Sequence, residues 1–339
     1  MKNVNIGIVG LGRLGRRHAL NLLASVPGAV LVAAASPVAE ERQWGSENLP
    51  GAAIYASLGE LLKHDGLDAV WLVTPTSLHV EQIEESLLAG KHVFCEKSLS
   101  LTLAECDRVL ALAEQRPDQM VMIGFTRRFD AAYMALKQRI DAGELGQVYR
   151  VHFESHDPID PHGFFVKFAP TSGGLFLDCG IHDVDLARWL ANGARAVRVS
   201  ASGSNQQYPG LAECGDIDTG VGTIEFDNGL IATLFISRTS HRGYEATLWA
   251  SGTEGGALAG KGIAAPAITV EQGNRVAQQG LPDFFARFSD AFLVEAKAFV
   301  DAIRQGAPSP LTLADAREAT RIAIALREAC EGHCVIELG

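Results

Sequence analysis

The chain has 339 residues, a formal net charge of −11, 47% hydrophobic residues and 20% charged residues. That length exceeds what one hydrophobic core sustains and points to two domains, while the acidity argues against nucleic acid or an anionic membrane as a main partner. No apolar run reaches a membrane span, and the N-terminus enters a strand without the basic and apolar regions of a signal peptide. The six cysteines (Cys95, Cys106, Cys179, Cys214, Cys330, Cys334) form no CxxC pair, so a cytoplasmic protein with reduced thiols is expected. Cys330, His333 and Cys334 lack further ligands nearby and read as a helix end and turn, so no metal is expected.

The first elements alternate strand and helix. Ile6, Ile8 and Val9 form an apolar run that ends in Gly10-x-Gly12-x-x-Gly15 and passes into a helical pattern reaching about Ser25. Gly10 permits a tight turn, Gly12 lets the backbone approach a pyrophosphate, and Gly15 lets the helix lie against the sheet. The helix start then offers free N–H groups and a positive dipole end to an anion. Gly10, Gly12, Arg13, Leu14 and Gly15 are the candidate dinucleotide cradle. The next strand, 30–35, ends in Ser36-Pro37, where a dinucleotide site usually has an acid holding both ribose hydroxyls. Serine can bond a 2′-hydroxyl and also tolerates a 2′-phosphate. No arginine follows at once, although Arg42 lies on the next helix. NAD is therefore the expected cofactor, with NADP not excluded.

Residues 53–55 and 68–74 read as further strands. Thr74-Pro75-Thr76 marks a carboxyl edge, where ligands bind in open α/β sheets. Ser77 reads as the N-cap of a helix to Ala89, with His79 in its first turn as a cofactor candidate or a plain surface histidine. The strand 92–97 ends in Glu96-Lys97. On that edge a lysine can reach a substrate oxygen, and burial would tune it for acid/base chemistry. A helix over 102–114 and a strand over 120–125 complete a parallel, doubly wound half, residues 1–124.

Residues 125–339 change pattern. A helix to about Ala142 and a strand over 148–155 lead to an irregular loop, His156 to His162. Asp178, His182 and Asp185 then fall at i, i+4 and i+7, one face of a buried helix. Two carboxylates and an imidazole there need partners or a task. A structural network and a metal site compete with an acid/base helix, and the acid/base reading is adopted. Strands over 197–202, 219–226, 230–237 and 245–250, with the hairpin turn Asp227-Asn228-Gly229, imply a largely antiparallel sheet. Gly252–Gly262 reads as a loop. Helices over 284–304 and 313–330 and a short strand over 334–338 close the chain.

Taken together, Gly10-Leu-Gly-Arg-Leu-Gly15, Thr74-Pro-Thr76, Cys95-Glu-Lys97 and Gly173-Gly174 with Asp178, His182 and Asp185 resemble the Gfo/Idh/MocA family of NAD(P)-dependent oxidoreductases, and within it the inositol 2-dehydrogenases. The resemblance implies an N-terminal Rossmann domain and a C-terminal α+β domain. It implies oxidation of a secondary ring hydroxyl of a cyclic polyol to a ketone, with Lys97, Asp178 and His182 as catalytic residues. Arg127, Asp157, Asp185 and Tyr244 match positions around the polyol, with Lys97, Asp178 and His182 also touching it. Ser36, Thr74, Pro75, Thr76, His79, Glu96 and Lys97 join the glycine loop at the cofactor. A homodimer or homotetramer through the C-terminal sheet is implied too. Ser98 replaces the family's usual proline, and Ser36 the acid of NAD-dependent members. The same chemistry on another sugar or aldose, or a non-enzymatic dinucleotide-binding redox sensor, are the alternative readings.

Overall fold

The computed structural model describes residues 2–260, 269–272, 275–278 and 280–339, with backbone alone for the two short segments. The chain divides into two compact units, Met1–Thr126 with Phe292–Thr320, and Arg127–Ala291 with Arg321–Gly339. The expected single cut after residue 124 thus differs in one respect. A C-terminal segment returns to the first unit.

In unit 1 the elements are β1 (Val4–Val9), α1 (Arg13–Ala24), β2 (Ala29–Ala35), α2 (Ala39–Asn48), β3 (Ala53–Tyr55), α3 (Leu58–Leu61), β4 (Ala69–Leu72), α4 (His79–Leu88), β5 (His92–Glu96), α5 (Leu103–Glu114) and β6 (Val121–Gly124). The strands form one sheet in the order β3-β2-β1-β4-β5-β6, parallel at every pairing. Every residue of β4 and β6 is buried, as expected where helices cover both faces of a parallel sheet. The strand order reverses between β1 and β4, so their carboxyl ends open a crevice there. Ser77 is not an N-cap. A short 3₁₀ turn, Thr76–Leu78, precedes α4, which starts at His79.

Unit 2 contains α6 (Ala131–Asp141), β7 (Val148–Pro158), α7 (Phe164–Ser172), α8 (Leu175–Asp178), α9 (Ile181–Leu190), β8 (Ala196–Ser204), β9 (Thr219–Phe226), β10 (Ile231–Ser240), β11 (Glu245–Gly252), β12 (Gly256–Ala259), β13 (Thr269–Gln272) and β14 (Arg275–Gln278). The helices α10 (Phe284–Gln305) and α11 (Leu313–Gly332) contribute to both units, and β15 (Val335–Glu337) ends the chain. A seven-stranded sheet has the order β12-β11-β7-β10-β9-β8-β15. Its pairings are antiparallel except β10 with β7. Gly229, at φ +84°, makes the turn between β9 and β10, as the Asn-Gly pair requires.

Three expectations change in unit 2. β7 continues to Pro158, so His156 and Asp157 lie on a paired strand, held by Glu245 and Ser237 in register with His156. The glycine-rich stretch from Gly252 contains β12, because Gly256–Ala259 finds a ladder partner in β11; its last two residues, 261 and 262, lie outside the described residues. The helix expected to carry Asp178, His182 and Asp185 is interrupted at Cys179-Gly180. There the Gly180 N–H reaches the Leu175 carbonyl five residues back. A Cβ on Gly180 would also lie 2.7 Å from Ile236 Cδ1 and 2.8 Å from the Phe176 carbonyl oxygen, so the chain passes closer than any side chain allows.

The returning segment explains the core of unit 1. His18 is buried among Trp71, Phe94 and Phe292, at centroid distances of 5.5, 5.9 and 5.3 Å. Trp71 stacks on Phe94 at 3.7 Å, and Phe299 meets both edge-on. Inside this apolar shell, His18 Nε2 lies 2.8 Å from Glu96 Oε1, and Glu96 Oε2 accepts the Lys97 N–H at 3.2 Å. Glu295 is also fully buried there. Burial, reinforced by the Glu96 charge, drives the Glu295 carboxyl well above its ordinary range, with the Thr126 hydroxyl opposing only in part. Burial thus favours its neutral form over the charged one.

A folded-state pKa raised above the unfolded one gives stability that is complete at low pH and is lost as pH rises. Wild-type protein should therefore lose thermal stability relative to Glu295→Gln from about pH 4.5 upward, the two converging below that. Melting temperatures across a buffer series check this, and parallel curves would show that Glu295 is ionised in the fold.

Candidate functional site

In unit 1 the glycine loop is built by two kinds of constraint. Gly10 has φ +92°, and a Cβ there would sit 2.3 Å from the Val73 carbonyl oxygen. A Cβ on Gly15 would sit 1.9 Å from the Gly10 carbonyl oxygen. Both glycines are demanded by the chain itself. Gly12 is not: a Cβ there would meet only Glu41 Oε1, at an ordinary 3.5 Å. Its missing side chain leaves open space at the start of α1. That helix has no side-chain cap and no acid in its first turn, so its N–H groups face that space with the positive end of the dipole. These residues fit the pyrophosphate of a dinucleotide.

Around the loop, the expected edge residues converge. His79 is fully buried, with Nδ1 2.7 Å from the Ser98 carbonyl oxygen and Nε2 2.9 Å from that of Thr74. It therefore ties the turn after β4 to the turn after β5. Burial lowers its pKa, and the two carbonyl contacts oppose that. Thr74 Oγ1 donates to Gln82 Oε1 at 2.6 Å. Lys97, half-buried, follows the end of β5, and the Lys97–Ser98 peptide is cis. Glu96 differs from expectation. Its carboxylate turns inward to His18 and the Lys97 N–H, so it supports the lysine from within the core.

At the end of β2, Ser36 is buried. Its hydroxyl donates to Glu41 Oε2 at 2.6 Å and accepts the Val38 N–H at 3.1 Å. Arg42 Nη1 donates to the carbonyl oxygens of Ser36 and Pro37, at 2.9 and 2.8 Å.

In unit 2 the candidates fall into three groups. Asp178 accepts a bond from Arg238 Nη2 at 3.2 Å, while Arg238 Nη1 donates to Asp216 at 2.7 Å. Arg238 is wholly buried on β10. Burial works against its charge, but Cys179, Asp178 and Asp216 overcome this and hold it protonated. Asp216 in turn accepts the N–H groups of Leu175 and Ile217, both at 2.8 Å, which pins the start of α8. His182, half-buried, lies on the first turn of α9 beyond the Cys179-Gly180 break. Asp157 joins this group through the Cys179 thiol, which donates to it at 3.5 Å. Burial, then the Asp178 charge, raises the Asp157 pKa.

Arg127 forms the second group. It is buried, donates to Ser155 Oγ at 2.8 Å and to the Tyr244 hydroxyl at 3.2 Å, and pairs with Asp183. Burial raises the Asp183 pKa, and Arg127 offsets that in part. Burial likewise pushes the Tyr244 hydroxyl up. The third group is Asp185, held by both arms of Arg128 at 2.8 and 2.6 Å. Asp185 is thus held by Arg128, on the helix that begins after the break at Cys179-Gly180.

Glu41, Asp183, Asp216 and Arg238 escaped the sequence reading. The signal for Arg238 was an arginine at the inward-facing position of β10 that follows Ala232, Leu234 and Ile236 at a period of two. Asp183 was hidden by a helical period counted through Asp178. Glu41 lies in the first turn of α2, where acids are common for dipole reasons alone.

Residues 4–125 match the oxidoreductase family with an NAD-binding Rossmann fold, and residues 133–258 match the GFO/IDH/MocA C-terminal domain. The chain is 35% identical to the scyllo-inositol 2-dehydrogenase (NAD(+)) of Bacillus subtilis, over 99% of this chain and 96% of that protein. It is 33% identical to the myo-inositol 2-dehydrogenase of Thermotoga maritima, over 99% and 98%. The crystal structure of scyllo-inositol dehydrogenase from Lactobacillus casei, with bound NAD(H) and scyllo-inositol, superposes with a TM-score of 0.92 at 35% identity, covering 99% of each chain. With the open cradle at Gly12 and the six-stranded parallel sheet, these similarities place the chain in the Gfo/Idh/MocA family of NAD-dependent oxidoreductases.

Proposed function

We propose that the protein oxidises a secondary ring hydroxyl of an inositol to the ketone. The observation that carries this reading is full-length similarity to inositol dehydrogenases in a chain that has Lys97, Asp178 and His182 at the positions the resemblance assigns to catalysis. Bound NAD supplies the hydride acceptor. Neutral His182 takes the hydroxyl proton as the carbon–hydrogen bond breaks, and Lys97 donates a hydrogen bond to the same oxygen. Asp178 orients the pair. Its own carboxylate is steadied by Arg238, and Asp216 holds both that arginine and the first N–H of α8.

A cyclic polyol presents a ring of hydroxyls, each both donor and acceptor. Arg127, Tyr244 and Asp157 are assigned to them, and Asp185 acts one step back through Arg128. The same reading includes a homodimer or homotetramer built on the seven-stranded sheet, where Val221, Ile231 and Leu258 are exposed. Light scattering tests that assembly. A cytoplasmic location belongs to it also; no described helix is long and apolar enough to cross a membrane.

NADH formation from myo-inositol and scyllo-inositol, with glucose as comparison, tests the substrate class. Strong turnover of an inositol and weak turnover of glucose is the expected result, and preference for glucose would replace inositol by an aldose. His182→Ala should lower kcat by about 100- to 10,000-fold, the usual range for losing an acid/base group, while calorimetric NAD affinity changes little. Loss of NAD binding with turnover per bound cofactor retained would remove His182 from the chemistry. Asp157→Asn should mainly raise KM for the polyol, by roughly tenfold for one lost charged contact, leaving kcat within a small factor.

A further inference from the structure

We infer that Glu41, on the first turn of α2, is the residue that selects NAD over NADP. The inference rests on dinucleotide binding by unit 1 and is independent of the inositol reading.

The acid that normally ends β2 and holds the adenosine ribose diol is absent, and Ser36 occupies its place. Ser36 alone cannot serve, because its buried hydroxyl is already committed to Glu41 Oε2 at 2.6 Å and to the Val38 N–H at 3.1 Å. The structure instead delivers a carboxylate to the same corner from the helix. Glu41 Oε2 also accepts the Leu11 N–H at 3.2 Å, between the first two glycines of the loop. Its other oxygen lies 3.5 Å from where a Gly12 Cβ would stand. The carboxylate therefore bridges the turn after β1 and the turn after β2, the two turns that flank an adenosine ribose in this fold. It remains half-exposed, so a ligand can reach it.

A carboxylate at that position accepts bonds from a 2′- and 3′-hydroxyl, and it repels a 2′-phosphate carrying up to two negative charges. Nearby cations do not cancel this in the free protein. Arg42 Nη1 is turned onto the carbonyl oxygens of Ser36 and Pro37. Arg16 Nε donates to the Leu11 carbonyl oxygen, with its guanidinium over Trp44. Once Glu41 is neutralised, these arginines are the groups at hand to meet a 2′-phosphate.

Isothermal titration of the full chain with NAD+ and with NADP+, without any substrate, tests the assignment. Wild-type protein should bind NAD+ roughly 100-fold tighter than NADP+, the scale of one close like-charge repulsion in a partly solvated site. Glu41→Gln should lower that ratio to within about tenfold, mostly by gaining NADP+ affinity. Glu41→Ala should lower it further by losing NAD+ affinity as well. Ser36→Ala, which removes one anchor and no charge, should change the ratio least. Thermal melts of each variant confirm that it is folded, and Glu41→Gln keeps the side-chain shape should Glu41→Ala unfold. An unchanged ratio in folded Glu41→Gln, with NAD+ still bound, overturns the role of Glu41 alone. Failure of wild-type protein to bind either dinucleotide overturns it together with the cofactor reading.

Discussion

The nucleotide end of unit 1 depends on a backbone approach too close for any side chain. The turn leaving β1 passes within contact of the Val73 carbonyl, and the first turn of α1 passes within contact of the Gly10 carbonyl. Those approaches bring α1 tight against the sheet at the point where strand order reverses. The helix start there has no side-chain cap, and His79 ties the strand edge at Thr74 to the turn after β5. Gly12 stands apart from its two neighbours, since protein packing does not require it. Its reason is the room it leaves for a ligand.

Buried charge is the second organising theme, and each unit manages it differently. In unit 1 the His18–Glu96 pair is enclosed by aromatic rings, and the pKa of a second acid, Glu295, is raised by burial and by the Glu96 charge. Two ionised carboxylates in such a shell would be far costlier than one. Unit 2 instead matches its buried acids to arginines: Asp178 and Asp216 to Arg238, Asp183 to Arg127, Asp185 to Arg128. An arginine has enough donors to serve two acceptors at once, which lysine could match only as a point charge. Asp157 lies beside Asp178, and burial with that neighbouring charge raises its pKa against the opposing pull of Cys179, Arg238 and Arg127.

Much of this was legible in the residues. Strand and helix alternation, the GxGxxG loop and the Asn-Gly hairpin depend on local chemistry, and the sheets formed where those signals stand. The candidate site was legible in part. Lys97, Asp178, His182 and Arg127 were identifiable as types at telling positions. Their partners were not, because Arg238 is 60 residues from Asp178 in the chain and Tyr244 is 117 from Arg127. Helical periodicity also misled at Asp185, since it presumes an unbroken helix across Cys179-Gly180.

From sequence alone came the class of fold and the dinucleotide loop, because each rests on spacing within a few residues. Tertiary structure decided what those residues face. It folded Phe292–Thr320 back into the first unit, turned Glu96 inward to His18, and brought Glu41 to the Ser36 corner from a neighbouring helix. Such choices are set by which distant groups can satisfy a buried charge or hydroxyl, and spacing along the chain carries no record of that.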